Sequence, residues 1–91
     1  MTEDPVRPKL ADTAPTENWL TAYDRAHLAT YLRLLDAAAE GASWFEVVRV
    51  LLGIDPSKEP DRAKVRYDSH LARAQWMTAH GYRDMLRDGG R

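Results

Sequence analysis

The chain contains no cysteine, so neither a disulfide framework nor a thiolate metal site can form. That absence fits a reducing cytosol. No apolar run approaches the ~20 residues needed to span a bilayer, and the N-terminus "MTEDPVRPKL" has no apolar signal-peptide stretch. The expectation is a soluble, unprocessed, cytoplasmic protein without membrane association. Neither sign of charge is in surplus: 13 Lys and Arg stand against 14 Asp and Glu, for a formal net charge of −1. A domain that grips phosphate backbone usually carries a basic excess, because neutralising phosphates supplies most of its affinity. Its lack weighs against DNA binding, although a small basic face can sit within a neutral average.

Catalytic patterns are missing too. His27, His70 and His80 show no i,i+4 pairing and no H-E-x-x-H, which argues against zinc. No G-x-S-x-G surrounds Ser43, Ser57 or Ser69, and no glycine-rich loop precedes a helix to cradle phosphate. No enzyme activity, cofactor, metal or small-molecule ligand is expected. Ninety-one residues make one domain. A chain of that size buries roughly 60–65% of its unfolded surface, so its core is thin.

What is present is helical. Residues 1–18 hold Pro5, Pro8 and Pro15 with Glu3, Asp4, Asp12 and Glu17, and little apolar periodicity. They read as a disordered acidic arm, with Trp19 and Leu20 the first residues to dock. From Asp24 a stripe of Leu28, Tyr31, Leu32, Leu35, Ala38 and Ala39 recurs at helical spacing, with Gly41 placed for a left-handed C-cap. Ser43-Trp44-Phe45-Glu46 then fits a capping box for a short helix that is apolar nearly all round and stops at Gly53. "GIDPSKEP" is a polar loop, and Pro60 suits the first position of a long third helix over 61–80. "YRDMLR" reads as a last short helix. The expected fold is all-α, with three main helices and a short C-terminal one. The domain should run over 19–87, and 88–91 should fray.

The third helix carries two apolar stripes. Ala63, Tyr67, Leu71, Ala74 and Met77 form one; Val65, Ala72, Trp76 and Ala79 form another, roughly opposite. The second is either packing under the tail or a docking face with Trp44 nearby. Between the stripes Arg66 and Arg73 recur seven apart, with Lys64 in the other gap. Such a row is either a solvated face or the DNA-reading strip of a helix-turn-helix.

The segments "YDRAHLATYLRLLDAAAEGASWFEVVRVLLGIDP" and "DSHLARAQWMTAHGYRDML" resemble a domain-of-unknown-function family of proteobacterial mobile elements, described as an extended-turn variant of helix-turn-helix. The resemblance implies that "GIDPSKEP" is the extended turn. It also implies one of two roles. In transcriptional activators of conjugative transfer the domain is fused to another domain and contacts DNA through a basic face. In standalone, QseM-like antiactivators of integrative and conjugative elements, tied to quorum sensing and horizontal gene transfer, it binds the activator's other domain and blocks transcription. The near-neutral charge and the short acidic arm favour the antiactivator, with weak or absent DNA binding. Its partner would be a transcriptional activator protein, engaged through its non-helix-turn-helix domain by Trp44, Val65, Ala72 and Trp76. The alternative is a DNA-binding regulator, or the DNA-binding half of a split activator, using Lys64, Arg66 and Arg73.

Overall fold

The computed structural model describes residues 9–81. Four helices are present and, among the described residues, no strand. Helix α1 spans Ala22–Ala26 and α2 spans Leu28–Ala39, while α3 spans Trp44–Val47 and continues as a π-helical turn over Val48–Leu52. Helix α4 spans Pro60–Trp76 and also runs on as a π-helical turn, Met77–Gly81. The last short helix expected over 82–87 lies outside the described residues, as do residues 1–8.

Local chemistry sets most of these boundaries. Thr21 caps α1 in a reciprocal box: its hydroxyl accepts from the Asp24 N–H, and the Asp24 carboxylate accepts from the Thr21 N–H. His27 then interrupts the single first helix expected from Asp24, standing at φ −116° and ψ 23°, with its ring tilted against that of Tyr23 at 4.2 Å between centroids. Gly41 adopts φ 76°, and the Ala42 N–H reaches back to the Ala37 carbonyl in a wide closing turn. Ser43 caps α3 by accepting from the Phe45 N–H. Pro60 occupies the first turn of α4, where its missing N–H costs nothing. The extended turn lies between these last two helices, with Asp55 accepting from both the N–H and the hydroxyl of Ser57.

Two apolar clusters form the interior. Leu34, Val47, Val48, Leu52, Ile54 and Ala63 make one, covered by Leu10, Trp44, Tyr67 and Leu71. Leu20, Tyr31, Ala74 and Met77 make the other, with Leu28, Leu35 and Trp76 against it. The nearly all-apolar helix is therefore central on one side only, because Val50 at its C-terminal end is 72% exposed.

Residues 9–18 were expected to belong to a mobile arm, with Trp19 and Leu20 the first to dock; instead the whole of 9–20 is placed. They lie across α4 as a strap, with Ala14 and Leu20 buried and the Ala14 N–H donating to Ser69 Oγ at 3.1 Å. Trp19, expected to dock, points outward.

Gly53 closes the π-helical turn at φ 72°, and a Cβ there would meet nothing within 4 Å. Its constraint is thus conformational alone. Gly53→Ala is expected to lower stability by about 1–2 kcal/mol, and Gly53→Asn by less, in urea unfolding at constant m-value.

Candidate nucleic-acid interface

In a helix-turn-helix the helix that follows the turn reads DNA, and α4 stands in that position here. Arg66 and Arg73 do not form an open basic row on it, which corrects the expectation from their spacing. Their side chains are only 8% and 4% exposed. The strap covers them, and both point into it.

Arg73 grips Asp24 with two bonds, Nε to Oδ1 at 3.0 Å and Nη2 to Oδ2 at 2.7 Å. It also donates to the carbonyls of Glu17 at 2.7 Å and Trp19 at 2.8 Å. The Trp76 ring lies over it, with the guanidinium carbon 3.9 Å from the ring centroid. Asp24 is fully buried and accepts further from Tyr31 Oη at 2.7 Å and from Thr21. Burial pushes its carboxyl upward, but the bonds from Arg73, Thr21 and Tyr31 prevail and hold its pKa at about 2. Tyr31 is driven the other way, raised first by burial and then by the neighbouring carboxylate.

Arg66 donates to the Leu52 carbonyl at 2.9 Å and to Asp12 at 2.8 Å, tying the end of the π-helical turn and the strap to α4. A polar relay also links the strap to the backbone of Arg66. The Ala11 N–H donates to Tyr23 Oη, and Tyr23 Oη lies 2.6 Å from His70 Nε2. His70 Nδ1 is 2.8 Å from the Arg66 carbonyl. A carbonyl only accepts, so Nδ1 carries the proton and Nε2 accepts from the tyrosine. Burial lowers the pKa of His70 and of His27 below the ordinary 6.5.

What remains exposed on α4 is nearly balanced. Asp61, Lys64, Val65, Asp68, Ala72 and Gln75 face solvent. Lys64 is paired with Asp68 at 3.1 Å and sits over the rings of Trp44 and Tyr67 at 5.2 and 5.5 Å. Arg62 is held by Asp12 and Glu59. Of the four residues proposed for docking, Val65 and Ala72 share this outer face. Trp44 and Trp76 are partly buried, one on each cluster, so they are not free anchors. The functional weight of Asp12 and Asp24 was not visible in sequence, since their partners lie 49 to 54 positions away.

Residues 4–87 match the model of the RovC DNA-binding domain family, described as T6SS, transcription factor, DNA-binding domain. The chain belongs to that family. No curated protein matches it. The family is a transcription-factor domain and not an enzyme class; this agrees with the helix-turn-helix resemblance at the level of a helical DNA-binding family and does not extend to the QseM-like antiactivator preferred from the charge balance. Among the described residues, no helix is long and apolar enough to cross a membrane.

The Arg73–Asp24 pair makes two checkable outcomes. Arg73→Met strands a buried carboxylate and should cost about 3–5 kcal/mol by chemical denaturation. The Asp24 pKa is depressed, so its contribution of ~2 kcal/mol is complete above the unfolded value of 3.8. It is lost as pH falls from there through about 2. The depressed histidines act earlier, since below 6.5 the unfolded chain takes up protons first. Melting temperature against pH should therefore fall in two stages on acidification, and Asp24→Asn should shrink the lower one, to which the depressed carboxyls of Asp12 and Asp55 also contribute.

Proposed function

We propose that this chain serves in transcription control as a helix-turn-helix DNA-binding domain whose motif is α3 with its π-helical turn, the extended turn and α4. The observation carrying this reading is the family match across 4–87, which spans every described helix. It reverses the order of preference drawn from the charge balance. A near-neutral total is compatible with it, because a local cluster of cations suffices for phosphate contact.

A second reading, the antiactivator that binds a transcriptional activator and blocks it, is favoured by one specific observation. The two exposed cations of α4, Arg62 and Lys64, are each already held by carboxylates. Between them the outer face offers Val65 and Ala72, a surface suited to protein more than to phosphate. In this reading the domain occupies the activator's docking surface without offering DNA a basic face.

Fluorescence anisotropy of the purified chain against duplex DNA from its own genomic neighbourhood separates the two. Binding that weakens steeply with salt, by roughly 0.9 in the log–log slope per phosphate contact, is the expected result. Affinity no better than the non-specific level of about 10⁻⁴ M at physiological salt would favour the antiactivator. In that case Val65→Glu and Ala72→Glu, both on exposed positions, should abolish capture of the cognate activator while leaving the melting curve unchanged.

A further inference from the structure

A groove of about 740 Å³ lies where α2, the end of the π-helical turn, the strap and the start of α4 meet. Its cations come from three elements: Arg33 from α2, Lys9 from the strap, Arg62 and Arg66 from α4. Val50 and Gly53 also line it, and among the described residues no carboxylate does. Arg33 is exposed and, among the described residues, makes no ion pair or hydrogen bond. Arg66 is buried, and its Nε has no hydrogen-bond partner.

Asp12 shows what this arrangement attracts. One carboxylate oxygen, Oδ1, receives both Arg62 Nε at 2.9 Å and Arg66 Nη2 at 2.8 Å. Two guanidinium groups converging on one oxygen make a geometry that suits a phosphate oxygen equally well. The Asp12 side chain is itself 55% exposed, so this anion is held at the rim and not sealed in. Among the described residues, the arginines Arg33, Arg62 and Arg66 stand against two adjacent carboxylates, Asp12 and Glu59, which leaves this part of the groove positive although the whole chain is not. The groove has no tryptophan, tyrosine or phenylalanine in its lining, so it lacks the aromatic anchors that dominate protein interfaces.

We propose that this groove is where the domain holds the DNA backbone, with a phosphate bridging Arg33 and Arg62 and with Asp12 as the anion it competes against. The inference rests on the DNA-binding reading above and adds the location of its phosphate contact. That contact lies at the start of α4 and beside it, away from the balanced outer face of Lys64, Val65 and Ala72. The strap then has a regulatory side, since its Asp12 moderates affinity by occupying two of the guanidinium groups.

The test is a set of matched charge changes, read by anisotropy against the same labelled duplex at several salt concentrations. Arg33→Ala, an exposed and unpartnered site, should flatten the log–log salt slope by about 0.9 without moving the melting temperature. Asp12→Asn should tighten binding. Asp68→Asn makes the same charge change on the outer face of α4 and should leave affinity where it was, as should Lys64→Ala. If removing the Asp12 carboxylate loosens the fold, Arg62→Ala supplies the second reading, with a slope reduced like that of Arg33→Ala. Sensitivity to Lys64→Ala and Asp68→Asn with indifference to Arg33→Ala and Asp12→Asn would overturn the groove while DNA binding by the domain survives. Absence of any DNA binding by the unmodified chain at low salt would overturn both. Under that outcome, loss of activator capture in Arg33→Ala would reassign the groove to an acidic protein segment.

Discussion

The buried pair between Arg73 and Asp24 is the contact around which the rest of the domain is arranged. Each charge would be costly to bury alone. The arrangement is tolerable because Asp24 accepts from Thr21, Tyr31 and Arg73 while Arg73 also donates to two strap carbonyls. Those carbonyls belong to Glu17 and Trp19, so satisfying the arginine requires the strap to lie where it does. Tyr31 and Thr21 in turn orient α2 and α1 against α4. A network of this kind is sensitive to the loss of any member, because a half-satisfied buried charge is worse than an apolar replacement.

The helices themselves were readable from local signals, each of which has a physical cause. Gly41 and Gly53 stand at positive φ, Ser43 caps α3, and Pro60 opens α4. The position of His27 was not readable, since a mid-helix histidine carries no breaking signal of its own. The strap was concealed by its composition. Prolines and acids read as solvated chain, and only Leu10, Ala14 and Leu20 are placed to bury, too sparsely for a period. Arg66 and Arg73 were concealed for the complementary reason. A charge repeating every seven residues looks like a wet face until its counter-ions are known, and those lie some fifty residues upstream.

The burial of these two arginines changes how charge relates to function in this fold. α4 carries four cations, yet two are structural and two are paired at the surface. Counting basic residues on α4 therefore overstates what it could offer to phosphate. Among the described residues, one cation without an ion pair lies to one side of it, on α2 at Arg33, where helical periodicity alone gives no reason to look.

The strap also imposes an order on how the molecule comes into being. Asp24 leaves the ribosome 49 residues ahead of Arg73, and at 5–20 residues per second that is an interval of ~2–10 s. Throughout it the carboxylate lacks its arginine, with only Thr21 and Tyr31 near enough in the chain to bond it, and residues 9–20 lack the α4 side chains that hold them. The N-terminal segment is thus made first and placed last, and the domain closes only after its fourth helix has emerged.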